Sequence, residues 1–225
     1  RMRQTGKEAY FLTGTDEHGQ KIQKAAQAKG VSPAVFVDEV SAKFKAMSAD
    51  FNLSNDDFIR TTEERHKEGV AKFWQKLEAN GWIYKGVYKG WYSVRDEAYY
   101  SEDEIVDGKA PTGAPVEWQE EETYFFELSA FGDILSKIYE NDGVVFPKSR
   151  LNEVKSFARL GLLDLSISRN TFDWGIEVPS DKTHVIYVWL DALSNYITAL
   201  GYPDGEAYKK LWLSKETKIH FIGKD

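Results

Sequence analysis

The run Val185-Ile186-Tyr187-Val188-Trp189 constrains the fold most. Consecutive apolar and β-branched residues suit a strand buried on both faces, the kind found in parallel sheets covered by helices, and do not suit a strand with one wet face. A helical pattern carrying Leu193, Tyr196, Ile197 and Leu200 follows it and ends at Gly201-Tyr202-Pro203. The chain opens in the same order. Residues 9–13 read as a buried strand, Gly14-Thr15-Asp16-Glu17-His18-Gly19 as a polar turn, and 20–29 as a helix with Ile22, Ala25 and Ala26 on one face, which is half of a βαβ unit. Lys218-Ile219-His220-Phe221-Ile222 predicts a further strand, followed by the turn Gly223-Lys224-Asp225.

Between these ends, Ser32 as N-cap and Pro33 at the first position open a helix whose stripe Val35, Phe36, Val40, Phe44 and Met47 is expected to face a core. Phe58-Ile59 reads as a short strand. Thr61 with Glu64 resembles a capping box, ahead of a helix bearing Val70, Phe73, Trp74 and Leu77 that Asn80-Gly81 stops. After Gly81 the character changes to short aromatic strands, Trp82-Ile83-Tyr84, Val87-Tyr88, Trp91-Tyr92-Ser93 and the longer run 122–128, with a Gly- and Pro-broken stretch at 108–115 and helices near 133–140 and 149–161. The fold class is α/β, a split parallel sheet with an α+β insert.

Composition removes several classes. With 42 % hydrophobic and 14 % aromatic residues the 225-residue chain is not disordered. It has no cysteine, which excludes disulfides and thiolate-held zinc or iron–sulfur centres. Lys+Arg 29 against Asp+Glu 36 gives −7, so no whole-molecule positive field draws nucleic acid or an anionic membrane. No stretch approaches the ~20 apolar residues of a membrane span and the start lacks a signal-peptide core, so a soluble, cytoplasmic protein without a membrane partner is expected. Strand patterns close to both ends suggest a piece of a longer chain; oligomeric state stays open.

Ligands of open parallel sheets gather beyond the carboxyl ends of strands. Three polar turns sit there: 14–19, Trp189-Leu190-Asp191-Ala192, and 223–225. Asp16 and His18 are open to three readings: a metal-ligand pair, an acid–base pair, or a helix-capping arrangement. Trp189 and Tyr196, seven residues apart across a strand-to-helix turn, are placed to face one pocket, though on residue type alone they read as core aromatics. Neither common Gly-rich phosphate loop is present. Asp16 and Glu17 make a poor acid–base pair for glycoside hydrolysis because adjacent carboxylates diverge. Lys45-Ala46-Met47-Ser48 lies on an amphipathic helix and reads as structural.

Taken in order, the stretches 11–19, Ser166-Ile167-Ser168-Arg169, Trp174-Gly175-Ile176-Glu177-Val178-Pro179, 187–196 and His220-Phe221-Ile222-Gly223-Lys224-Asp225 closely resemble the methionyl-tRNA synthetase family over essentially the whole chain. The resemblance implies a class I synthetase core, a Rossmann-like parallel sheet made of 1–81 and a truncated 179–225, interrupted by an α+β connective insertion at 82–178. It implies ATP-dependent activation of L-methionine to methionyl-adenylate and transfer to tRNA(Met), with Mg2+ accompanying ATP. Asp16 would hold the methionine ammonium, and Trp189, Ala192, Leu193 and Tyr196 would line the side-chain pocket, where a thioether packs well against ring edges. Gly223, Asp225 and His18 would meet the ATP or adenylate, and Arg169 and Glu177 would act near the phosphates. Arg169 also admits a structural reading, an ion pair with a neighbour such as Asp173. The insertion would meet the tRNA acceptor end through Lys85, Lys89 and Arg95. Tyr92-Ser93-Val94-Arg95-Asp96-Glu97 stands where family members open a zinc knuckle, which implies the zinc-free form. The family's H-I-G-H and K-M-S-K-S signatures are not among these residues, which implies a fragment that is inactive when isolated; the alternative is a non-catalytic module that keeps an amino-acid pocket.

Overall fold

The computed structural model describes residues 2–96, 98–214 and 217–223. In chain order the elements are β1 Leu12–Thr15, α1 Gln20–Ala28, α2 Pro33–Asp50, β2 Asp57–Arg60, α3 Glu64–Ala79, β3 Ile83–Ser93, β4 Ala98–Tyr100, β5 Glu117–Phe126, α4 Gly132–Glu140, α5 Lys148–Arg159, β6 Leu165–Ser166, β7 Ser168–Arg169, β8 Ile176–Val178, β9 Asp181–Ile186, α6 Val188–Asp191 and α7 Asn195–Thr198. They form two compact units, one of Arg1–Gln75 with Thr171–Asp225 and one of Lys76–Asn170. The second unit begins and ends earlier than the 82–178 expected for an insertion.

In the first unit β1 and β2 pair in parallel, from Leu12 opposite Asp57 to Thr15 opposite Arg60. Gly14 faces Ile59, and a Cβ there would stand 1.9 Å from the Ile59 carbonyl oxygen. Backbone cannot yield as a side chain does, so Gly14→Ala is expected to cost about 1–3 kcal/mol. Urea unfolding measures it, and a neutral result would mean that β1 and β2 do not approach as described. Ser32 caps α2 by accepting the Val35 N–H at 3.4 Å, with Pro33 at the first turn. The buried side of α2 is Val37 and Ser41, not the predicted stripe: Val35, Phe44 and Met47 are 47 %, 49 % and 43 % exposed. The Ser41 hydroxyl lies 3.2 Å from that of Thr15 on β1, so the side of α2 that meets β1 is the one carrying Val37 and Ser41.

Three further expectations change. Thr61 does not cap α3, which starts at Glu64; its hydroxyl accepts the Glu17 N–H at 2.9 Å. The strand expected through Trp189 stops at Ile186, and its partner β8 is antiparallel, with Ile176 opposite Ile186. At Tyr187 the chain turns helical, the Tyr187 carbonyl accepting the N–H groups of Leu190 and Asp191 at 3.0 Å each. A short apolar run fits a buried strand and a buried helix equally, and here it contains the junction. The last predicted strand is absent. Residues 218–222 have no regular structure, and Ile219, Phe221 and Ile222 are exposed, since apolar residues without a neighbouring ladder do not make a strand.

In the second unit the three short aromatic strands prove to be one. β3 pairs antiparallel with β5 without interruption, from Ile83 opposite Phe126 to Tyr92 opposite Glu117, with β4 on its other edge. Gly86 and Gly90 do not break it because rings cover them: a Cβ would meet Phe125 at 3.1 Å and Tyr88 at 3.2 Å, respectively. α3 ends as Asn80-Gly81 predicts, with Gly81 at φ 75° and the Trp82 N–H on the Leu77 carbonyl at 3.0 Å. Where a zinc knuckle would open, Asp96 accepts hydrogen bonds from the hydroxyls of Tyr100 and Thr112 and from Arg95, beside a small cluster of Ala110, Ala114 and Val116 packed on Trp91, Tyr100 and Ile105.

Candidate functional site

The turn after β1 sends its two adjacent carboxylates opposite ways. Asp16 is exposed, whereas the Glu17 side chain is 3 % exposed. Arg60 grips Glu17 with both ends of its fork, Nε to Oε1 at 2.8 Å and Nη2 to Oε2 at 2.9 Å, and Thr15 donates to Oε1 at 2.6 Å. The Trp174 indole donates to the Glu17 carbonyl at 2.7 Å. Burial pushes the Glu17 carboxyl up, but the hydrogen bonds of Arg60, Thr15 and Thr62 outweigh it and hold the group below the usual carboxylate value. Glu17 is therefore locked as an anion within the fold, which removes it from acid–base work with Asp16.

His18 turns inward from the same turn. Its side chain is 6 % exposed, its Nδ1 lies 2.6 Å from Asp191 Oδ2, and its ring meets Trp174 edge-on at 5.7 Å. Asp191, 1 % exposed, bonds through Oδ1 to His66 Nε2 at 2.9 Å, and His66 Nδ1 lies 2.8 Å from the Thr198 hydroxyl. Desolvation raises the Asp191 carboxyl; the hydrogen bonds and charge of His18 and His66 more than reverse that, and the group sits below its ordinary value. The chain runs His18–Asp191–His66–Thr198. Gly69, one turn after His66 on α3, lets Thr198 come close: a Cβ on Gly69 would be 2.5 Å from Thr198 Cγ2. Sequence reasoning flagged Asp191 only as part of a turn and missed His66. The available signal was a histidine on the buried stripe His66, Val70 and Trp74.

Asp191 and Thr198 mark the inner side of the helical segment formed by α6, the 3₁₀ turn Ala192–Ser194 and α7. The outer side carries Trp189, Leu193 and Tyr196, which are 49 %, 52 % and 36 % exposed. These are positions i, i+4 and i+7 of a helix and share a face. No strand-to-helix turn separates Trp189 from Tyr196, as the sequence suggested; both are helical, and neither is a core aromatic. The His220 ring meets Tyr196 edge-on at 4.5 Å. Ala192 is half-buried beside them.

Glu177 is exposed on β8, with Lys182 Nζ at 3.8 Å. Gly223 is exposed and Asp225 lies outside the described residues. Arg169 is 4 % exposed within the second unit, donating to the Ser166 hydroxyl and the Ser168 carbonyl at 2.6 Å each, with Glu121 at 4.0 Å and the Tyr99 ring below its guanidinium. Its acidic neighbour is thus Glu121; Asp173 instead accepts from Gln23 at 2.8 Å. The basic residues expected to meet tRNA have acidic partners: Lys85 with Glu122 at 2.6 Å, Lys89 with Glu120 at 3.0 Å and Arg95 with Asp96 at 3.2 Å. A groove of about 480 Å³ beside Trp174, lined by Gln23, Gln27, Val31, Pro33 and Asp173, contains none of the residues the resemblance singles out. Among the described residues no helix is long and apolar enough to cross a membrane, and no group of three or more His, Asp or Glu side chains is arranged to hold a metal.

The mixed α/β chain superposes on methionyl-tRNA synthetase of Mycobacterium tuberculosis bound by methionyl-adenylate with a TM-score of 0.88 and 48 % identity, over 93 % of this chain and 43 % of that one. The apo form of that protein gives a TM-score of 0.73 at 38 % identity, over 90 % of this chain and 48 % of the other. The fold is thereby that of the catalytic region of a class I synthetase. The model of the tRNA synthetases class I (M) family matches residues 1–114 and 110–225, and the chain belongs to that family. It is 59 % identical over 227 residues to a methionine–tRNA ligase of Rickettsia typhi and 54 % identical over 230 residues to one of Brucella suis, covering all of this chain and 44 % of each relative. The chain thus spans less than half the length of the curated relatives it matches.

Proposed function

We propose that the protein acts as a methionine–tRNA ligase. The methionine carboxylate attacks the α-phosphate of ATP, releasing pyrophosphate and forming methionyl-adenylate; the 3′ end of tRNA(Met) then attacks the carbonyl and AMP leaves. The observation that carries this reading is the row Trp189, Leu193 and Tyr196, exposed on a segment whose other side is sealed by Asp191 and Thr198. An aromatic-walled surface suits a flexible thioether. Asp16, exposed at the end of β1, would take the ammonium, and Ala192 would complete the pocket.

Gly223 and Asp225 are proposed to meet the adenosine, with Mg2+ carried by the phosphates of ATP rather than by a protein cage. Glu177, exposed on β8, and Arg169 are proposed near the reacting phosphate. For Arg169 this requires the guanidinium to exchange Ser166 and Ser168 for phosphate oxygens. Lys85 and Lys89 are proposed to meet the tRNA acceptor end from the second unit. Their exposed ion pairs are worth about 0–1 kcal/mol each and open readily to a phosphate. A cytoplasmic location fits this role.

Calorimetric titration of L-methionine, with L-leucine as control, and methionine-dependent exchange of pyrophosphate into ATP test the proposal. Selective binding supports the pocket, and exchange is read on the protein with both signature motifs present: binding with exchange supports the ligase, binding without it favours the non-catalytic module. Asp16→Ala is expected to weaken methionine binding by about 1.5–3 kcal/mol, the worth of a hydrogen bond to a charged group. Unchanged affinity in the folded variant would remove Asp16 from the site. Trp189→Ala is expected to lose methionine selectivity while shifting stability by no more than about 0.5 kcal/mol, as for a surface side chain; a collapse of Tm would return Trp189 to the core.

A further inference from the structure

We propose that His18 and Asp191 are positioning residues that fix the distance between Asp16 and the Trp189–Leu193–Tyr196 face, and so set the length of amino-acid side chain the site accepts. This rests on the methionine-binding role proposed above. The two halves of the site come from opposite ends of the first unit: the ammonium group from the turn after β1, the apolar face from the segment after β9. His18 lies two residues beyond Asp16. Asp191 lies two residues beyond Trp189 and two before Leu193. The 2.6 Å bond between His18 and Asp191 therefore fastens the two halves at points next to their ligand-facing residues.

Both members are held so that the bond transmits position rather than absorbing motion. His18 is wedged edge-on against Trp174, whose indole is bonded to the Glu17 carbonyl in the same turn. Asp191 is anchored from the far side by His66, and its neighbour Ser194 donates to the Leu190 carbonyl, which stiffens the turn between α6 and α7. The side chains of His18 and Asp191 are 6 % and 1 % exposed, so the bond between them is shielded from water. A clamp with one end at the ammonium and the other at the side-chain wall measures what lies between them.

The test compares L-methionine with its S-ethyl analogue, one methylene longer, and S-methyl-cysteine, one methylene shorter, by calorimetric titration into the protein and its His18→Gln, Asp191→Asn and Thr198→Val variants, with Tm recorded for each. The unsubstituted protein is expected to prefer methionine by about tenfold or more, the usual worth of one methylene in a fitted pocket. His18→Gln and Asp191→Asn are expected to narrow that ratio at least about fivefold, the longer analogue losing less affinity than methionine. Thr198→Val cuts the buried chain at its other end and leaves the His18–Asp191 bond, so it is expected to lower Tm while keeping the ratio. An unchanged ratio in either folded clamp variant overturns the proposal, as does a Thr198→Val variant that shifts the ratio equally. Failure of the unsubstituted protein to bind methionine overturns the function itself and the clamp with it, which separates that failure from failure of the clamp alone.

Discussion

Asp191→Ala is expected to cost about 3–5 kcal/mol of folding stability at neutral pH, the penalty for removing one member of a buried ionic hydrogen-bonded group. The carboxylate is 1 % exposed and serves two imidazoles, so its loss strands His18 Nδ1 and His66 Nε2 together in a site closed to water. The cost has a pH signature. Because the folded fold holds the Asp191 carboxyl below its ordinary value, its contribution is fully present above the unfolded carboxylate pKa and is lost as pH falls through the lower, folded one. The gap in stability between Asp191→Asn and the unsubstituted protein should therefore shrink below about pH 4. Chemical denaturation across pH checks both parts; a gap that widens on acidification would show that the carboxylate is not the stabilised form. A double-mutant cycle with His66→Ala is expected to give a coupling above about 1 kcal/mol, since the two groups share one bond.

Local rules made part of this molecule legible and tertiary ones hid the rest. Ser32-Pro33 and Asn80-Gly81 mark helix ends because capping is settled within a few residues, and both ends stand where the pattern puts them. The junction at Tyr187 is different: Val188 and Trp189 continue the apolar run of β9, and only the bonds to the Tyr187 carbonyl show that the backbone has already turned helical. Gly86 and Gly90 look like strand breakers until the rings over them are seen, and Phe125 comes from a strand almost forty residues away in the chain. Residues 218–222 show the converse, a strand-like pattern with no ladder. At the candidate site, the turns after strands are readable because ligand sites gather there, and Asp16, Trp189 and Tyr196 stand out by type. The buried His18–Asp191–His66 chain does not, because its bonds join residues 173 and 125 positions apart and nothing local marks which histidine an aspartate will meet.

Glu17→Ala is expected to cost about 3–5 kcal/mol, while the neighbouring Asp16→Ala leaves stability nearly unchanged. Composition and spacing treat these two carboxylates alike; burial separates them. Glu17 gathers Arg60 from β2, Thr15 from β1 and Thr62 into one cluster, and Arg60 also reaches Asp38 on α2 at 2.6 Å. Removing the carboxylate takes an acceptor from Thr15 and Thr62 and leaves Arg60 with only its more exposed partner, so the loss falls on the joint that holds β1, β2 and α2 together. Its pH dependence has the same sign as that of Asp191: the hydrogen bonds that hold Glu17 below the usual carboxylate value stabilise the fold at neutral pH and stop doing so as pH falls through the lowered pKa. The turn between β1 and α1 also carries Asp16 and His18, so Glu17→Ala is expected to weaken methionine binding in addition, even though Glu17 itself faces away. Glu17→Gln distinguishes the two effects. It keeps the shape and can still accept from Thr15, so it should retain the turn, recover much of the methionine affinity, and still lose the stability that comes from pairing a full negative charge with Arg60. Thermal melts and methionine titrations on the three variants side by side decide it: equal losses in Asp16→Ala and Glu17→Ala would mean that the two carboxylates do not divide the work as their burial indicates.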